Sequence, residues 1–264
     1  MISKPKKVII SLLILTAMYF NLFTAYTDYD KYRIPALLYH NIVPDAEYHM
    51  QGLMHITQSN FKDHMLKIKE AGYTPVLFED LVNAAEGKFQ LPQKPILITF
   101  DDGYSSNYDY AYPILRDLGF KATVFVITSS VGLGGVGVTF PHFTWEQAAQ
   151  MQQSGVMSIQ SHSNTHRDFS LLSDDEAFED MLVSKKLIES SLGTDCIVFS
   201  YPYGKFTVAA RSFSEISGFS MEAFVADSSD NTADADTREF YRLTVDGTLS
   251  GDDLVRKIIS DSSM

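Results

Sequence analysis

The sequence predicts an α/β chain: a parallel sheet covered by helices and closed as a (β/α) barrel. Three observations carry this. Short apolar runs without polar alternation, such as Pro95–Phe100 and residues 122–127, recur along the chain and read as strands buried on both faces. Amphipathic helical stretches stopped by glycine separate them at short spacing, the pattern of repeated strand–helix units. Polar residues gather just past the C-terminal ends of successive strands: His40, Asp101-Asp102, His162 and the turn Tyr201-Pro202-Tyr203. The alternation alone also fits an open doubly wound sheet, but in a barrel all those strand ends open on one face, where sites are built.

In chain order, residues 1–26 read as a targeting segment. Lys4, Lys6 and Lys7 precede an apolar stretch, 8–23, broken only by Ser11, Thr16 and Asn21. That stretch is long for a signal-peptide core and short for a comfortable span, and no small-x-small cleavage pattern follows it. It predicts an uncleaved membrane anchor with the lysines inside; cleaved secretion is the alternative. Either places the body, 27–264, outside the cytoplasm. No composition break divides that body after residue 33, so it reads as one domain.

Within it, residues 36–39 form the first strand. Ser59 or Asn60 caps a helix with Phe61, Met65 and Ile68 on one face, stopped at Gly72. A short strand (74–77), a short helix (79–85) and the strand 96–100 follow. The next helix lies within 107–118, where Pro113 marks its start or a kink, and Gly119 ends it. After strand 122–127, Thr144 with Gln147 makes a capping box opening a helix closed by Gly155. Strand 157–160 leads to a second box, Ser173 with Glu176, and a long helix to about Leu192. Strand 197–199, helix 207–216, strands 223–226 and 243–245 and a helix over 252–259 complete the chain.

Composition narrows the function. With 33 acidic against 21 basic side chains and a formal net charge of −12, a nucleic-acid backbone is excluded as partner. Cys196 is the only cysteine, so no internal disulfide forms, and its apolar surroundings in sequence mark a core residue rather than a nucleophile. The glycine-rich run 132–137 matches a dinucleotide fingerprint as a string, but no helix opens after it to hold a pyrophosphate.

The chemistry concentrates at Thr99-Phe100-Asp101-Asp102-Gly103-Tyr104 and at His162-Ser163-Asn164-Thr165-His166. Two carboxylates at the end of a buried strand need a cation or hydrogen bonds to stabilise them. Two imidazoles four apart reach one ion from a tight loop, and with one aspartate they supply three ligands and leave a coordination position open. Such a donor set suits Zn2+ or a similar divalent ion, with Co2+, Ni2+ and Fe2+ as alternatives. The spare carboxylate is then a general base for a water whose pKa the ion lowers.

These two stretches and Tyr201-Pro202-Tyr203-Gly204 resemble, in order, the first three motifs of the polysaccharide deacetylases with a NodB-type domain, carbohydrate esterase family 4. The resemblance covers about 34–245. It implies a distorted (β/α) barrel of that type, with Asp102, His162 and His166 as metal ligands, Asp101 as base, the Tyr203 N–H holding the oxyanion, and Tyr104, Tyr201 and Pro202 contacting substrate. It implies a polymer of N-acetylglucosamine units as substrate and acetate as product.

Two departures stand out. Ser200 occupies the place of an arginine that in the family orients the base; Arg242 either stands in for it or forms a surface salt bridge. No leucine-x-histidine pair lies near the C-terminus, but Tyr39-His40 is similar to the pair that supplies the acid histidine in the branch acting on poly-N-acetylglucosamine of biofilm matrices. His40 is then the general acid, or a buried histidine satisfied by backbone. A peptidoglycan or chitooligosaccharide deacetylase and a non-catalytic glycan-binding module are the competing readings.

Overall fold

The computed structural model describes residues 32–226, 231–233 and 238–261. The expected anchor or signal at 1–26 lies outside the described residues. Among the described residues no helix is long and apolar enough to cross a membrane.

The described residues form twelve strands: β1 (Tyr32–Arg33), β2 (Ala36–Tyr39), β3 (Asn41–Val43), β4 (His55–Thr57), β5 (Thr74–Pro75), β6 (Pro95–Phe100), β7 (Ala122–Val126), β8 (Met157–Ser161), β9 (Val198–Ser200), β10 (Met221–Ala226), β11 (Thr232–Ala233) and β12 (Glu239–Thr244). Seven of them, β2, β6, β7, β8, β9, β10 and β12, follow one another in chain order around a parallel ring. The β2–β6 and β12–β2 pairings close it. The short β5 adds to β6, while β3 with β4 and β1 with β11 make separate two-stranded pairs.

Strand periodicity sorts the core into two layers. Leu37, Ile96, Ile98, Val124, Met157, Ile159 and Leu243 pack outward in one cluster with helix residues such as Phe61, Met65, Met181 and Ile188. The intervening positions Leu97, Phe125, Val198, Ala223 and Phe240 form a second cluster inside the ring, with Phe78, Leu81 and Ala84 packed against it. Those three lie on α2 (Phe78–Ala85), the second of seven helices. The inward register, carried one or two residues past each strand, brings His40, Asp101 and His162 to the C-terminal mouth.

The helices are α1 (Gln58–Glu70), α2, α3 (Tyr112–Leu118), α4 (Trp145–Gln153), α5 (Asp174–Leu192), α6 (Val208–Ile216) and α7 (Gly251–Asp261). Both capping boxes form as expected, at Thr144/Gln147 and Ser173/Glu176. α1 is capped earlier than expected, by Thr57, whose hydroxyl accepts from the Asn60 N–H. Before α3 the chain makes a π-turn, Asn107–Ala111, in which the Tyr112 N–H donates to the Asn107 carbonyl. The wider turn makes room for the ring of Pro113.

The last barrel strand corrects the sequence reading most. It starts at Glu239 rather than at residue 243, because Glu-Phe-Tyr-Arg is an alternating strand with Phe240 and Arg242 inward rather than an apolar run.

Candidate active site

The turn after β6 places two carboxylates differently. Asp101 continues the strand's inward register, whereas Asp102 takes a left-handed conformation (φ 74°) followed by Gly103 (φ 80°). A Cβ on Gly103 would lie 3.1 Å from Val126, so glycine suits this turn by conformation and by space. The non-glycine residues with positive φ among those described are Asp102, Ser163, His166 and Tyr203. All four lie in the three motif turns, where strained backbone re-aims side chains at a cost of about 1–3 kcal/mol each.

His162 follows β8 directly, with its side chain buried. The Ser200 carbonyl, 2.8 Å away, accepts from its Nδ1, which fixes the proton there and leaves the Nε2 lone pair free. That Nε2 lies 3.6 Å from Asp102 Oδ1, and His166 Nε2 lies 3.3 Å from the same oxygen. One ligand atom from each of the three residues lies within 4.8 Å of the others, the only such grouping among the described residues. Burial holds the His162 pKa below its ordinary value despite the neighbouring Asp101 and Asp102, which keeps the imidazole neutral. Burial pushes the Asp102 carboxyl up, but His166, His162 and His40 outweigh it and hold it well below the usual range. Two imidazole nitrogens and an ionised carboxylate oxygen, already convergent, fit a divalent cation.

Asp101 stands beside this cluster with a partner of its own. Arg242 Nη1 and Nη2 donate to its two oxygens at 2.6 and 2.8 Å, a bidentate pair with the arginine wholly buried. Nη2 also donates to Ser200 Oγ at 2.7 Å and Nη1 to Thr99 Oγ1 at 3.3 Å. The guanidinium lies over the Phe125 ring, 4.9 Å from its centroid. Of the two expectations for Arg242, the surface salt bridge is thus overturned: the residue reaches Asp101 from inside the barrel. Burial raises the Asp101 carboxyl and the Arg242 charge overrides it, so Asp101 is ionised and poised to accept a proton.

His40 follows β2, half-buried, its carbonyl accepting from Asn107 Nδ2 at 2.9 Å and its buried Nδ1 without a hydrogen-bond partner. Its imidazole is near enough to Asp101 and Asp102 to help depress both carboxyls. The reading of His40 as a histidine satisfied by backbone does not describe this ring. Tyr203, 61% exposed, lays its ring 4.7 Å from that of His166. Tyr104 is half-buried between the Asp102 carboxylate, whose charge adds to burial in raising its hydroxyl pKa, and the His142 ring at 5.1 Å.

Two expected substrate contacts fail. Tyr201 is fully buried, and its hydroxyl donates to the buried Glu222 at 2.5 Å. Pro202 is buried as well. Their side chains pack inward beneath the turn that carries Tyr203 and leave little surface for a substrate.

One residue escaped the sequence reading. Asp180 on α5 accepts from the Asn164 N–H at 2.6 Å and from the Thr165 hydroxyl, tying down the loop between the two histidines. Its signal was a carboxylate on the helix face that carries Ala177, Met181, Ser184 and Ile188.

The comparisons with known proteins agree with this geometry. A family model described as polysaccharide deacetylase matches residues 88–221, half of the chain, including all three motifs. The chain belongs to the polysaccharide deacetylase family. Over 189 residues it is 31% identical to YxkH of Bacillus subtilis, assigned to the polysaccharide deacetylases; the match covers 72% of this chain and 63% of that protein. Over 141 residues it is 30% identical to the poly-beta-1,6-N-acetyl-D-glucosamine N-deacetylase of Escherichia coli K12, covering 50% of this chain and 21% of that protein. The chain therefore spans less than two thirds of either curated relative. Among solved structures, the Streptococcus pyogenes deacetylase PplD in complex with acetate superposes with a TM-score of 0.75 at 25% identity, over 86% of this chain and 98% of that one.

Proposed function

We propose that the protein removes acetyl groups from N-acetylglucosamine units of an extracellular polysaccharide, with a poly-β-1,6-linked polymer as the favoured substrate. The observation that carries this is the convergence of Asp102, His162 and His166 beside a separate carboxylate, Asp101, held by Arg242. Preference for the β-1,6 polymer rests on the Escherichia coli relative's name and on His40, partly exposed at the end of β2.

Asp102, His162 and His166 would hold a divalent cation, Zn2+ by donor type, which when bound polarises the acetamide carbonyl and acidifies a water. Asp101, kept ionised and oriented by Arg242, takes the proton of the attacking water. The Tyr203 backbone N–H faces the developing oxyanion, an interaction that strengthens in the transition state. His40 protonates the departing amine, and the products are acetate and a glucosamine unit. The exposed Tyr203 ring and Tyr104 flank the acetamide.

The lysines before residue 8 and the apolar stretch behind them support an extracytoplasmic body held at the membrane by its N-terminus. Protease added to intact cells should digest the body; protection of the body in intact cells would reverse this placement.

The deciding experiment measures acetate released from β-1,6-linked N-acetylglucosamine oligomers and from peptidoglycan, with and without chelator. Release from the first, lost with chelator and with Asp101→Asn, is expected. Release from peptidoglycan alone would move the substrate assignment. Tight oligomer binding with no release from either polymer, after loading with Zn2+, Co2+ or Ni2+, would make the protein a binding module.

A further inference from the structure

A cavity of about 410 Å³ opens beside the site just described, within the size range of small-molecule sites. The chain itself joins the two: lining residue Asn41 follows His40, Ser105 follows Tyr104, and Phe140 packs on the Tyr104 ring with centroids 6.2 Å apart. Its walls are pinned. The Ser105 N–H donates to the Pro141 carbonyl at 2.7 Å, and the Ser106 hydroxyl donates to Asn41 Oδ1 at 2.6 Å while accepting the Ile42 N–H at 3.0 Å. His55 holds Phe140 from another side, 5.0 Å between centroids.

The lining chemistry is selective. Phe140 and Tyr110 offer aromatic faces, Asn41 and Ser105 offer polar groups, and the charged side chains are Glu47 and Asp109, with no lysine or arginine. Among the described residues Glu47 has one ionic neighbour, the exposed His49 at 3.5 Å, a solvated pair too weak to neutralise it.

Resting on the deacetylase reading, we propose that this cavity holds the sugar next to the one being deacetylated and favours a neighbour that already carries a free ammonium group. Amide hydrolysis turns a neutral acetamide into an amine that is cationic at neutral pH, so the polymer accumulates the charge that two carboxylates and aromatic faces attract. A neutral N-acetylglucosamine gains only the ring contacts. The enzyme then works preferentially beside its own earlier products.

The test compares two probes by calorimetry on the full chain at low salt, a β-1,6-linked glucosamine pentamer and its fully N-acetylated counterpart. The glucosamine pentamer should bind at least threefold more tightly. Glu47→Gln and Asp109→Asn, both at exposed positions, should each reduce that preference by about two- to fivefold, the range of a solvated ion pair. Acetate release from an oligomer with one glucosamine beside an N-acetylglucosamine should exceed release from the fully acetylated one, and the variants should level the two. Equal binding of the two pentamers by the wild type, or a preference untouched by both substitutions, would overturn the proposal. Charge-selective binding without any acetate release would uphold the cation-selective cavity and refute the reaction, so the two failures are told apart.

Discussion

Arg242 and Asp101 form an ion pair taken wholly out of water, and the cost of that burial is offset by geometry: two parallel donors to the carboxylate, a third hydrogen bond to Ser200 and a ring beneath the guanidinium. Removing one partner strands the other. Arg242→Met should cost about 3–5 kcal/mol in urea unfolding and abolish acetate release. The double variant Arg242→Met/Asp101→Asn should recover most of the stability and none of the activity, since the burial cost and the catalytic use belong to different properties of one pair. Full activity in Arg242→Met would remove Asp101's dependence on the arginine. A half-buried carboxylate away from the site, Glu79, makes a pH prediction. Burial raises the Glu79 pKa, against hydrogen bonds from Ser158 and Gln160, and its Oε2 has no partner. A raised carboxyl pKa means that the folded state binds the proton more tightly than the unfolded chain. Its stabilising contribution is therefore complete below the unfolded pKa and is lost as pH rises through the raised value. Glu79→Gln should accordingly gain stability relative to wild type between pH 4.5 and pH 7.5, read by urea midpoints at both; a constant difference would contradict the assignment.

At the scale of elements, the Asp102, His162 and His166 cluster depends on a helix that contributes none of the three. α5 presents Asp180 to the backbone of residues 164 and 165, and the left-handed Ser163 and His166 flank that grip. Asp180→Asn keeps the shape and one acceptor but loses the charge-assisted bonds. Divalent-ion affinity, measured by competition with a chelator, should fall by about 10- to 100-fold while far-ultraviolet circular dichroism stays unchanged. Unchanged affinity would reduce Asp180 to a loop staple. Elements also show what the sequence could reveal. Apolar strand cores, capping boxes and glycine stops are local signals, and they located all seven barrel strands at least in part, together with the motif turns. Arg242 was visible as a candidate but not as a buried one, because its pairing with Asp101 spans 141 positions and its strand alternates instead of running apolar. Tyr201 misled for the opposite reason: a motif residue beside an exposed tyrosine gave no sign that its own ring is part of the core.

For the whole molecule, the ring is closed by its first and last strands meeting. β12 pairs with β2, and the loop after β12 runs back over β4, where the Gly247 N–H donates to the Gly52 carbonyl at 2.9 Å and Asn60 Nδ2 donates to the Gly247 and Leu249 carbonyls at 2.6 and 2.8 Å. A Cβ on Gly247 would collide with the His55 carbonyl oxygen and with the Ile56 Cα at 2.9 Å. Gly247→Ala should therefore lower stability by about 1–3 kcal/mol, read as a reduced urea midpoint, although the position carries none of the chemistry. A midpoint equal to wild type would mean that this loop lifts away without consequence.

Because the closing strand also brings Arg242 to Asp101, that carboxylate gains its counter-charge only once residues 239–244 have been synthesised. The histidines and both aspartates emerge long before that, yet Asp101 stays unpaired with Arg242 while the strand is missing. Ordering the strands this way makes the buried pair a late event in the birth of the barrel, absent from any copy that stops before the strand.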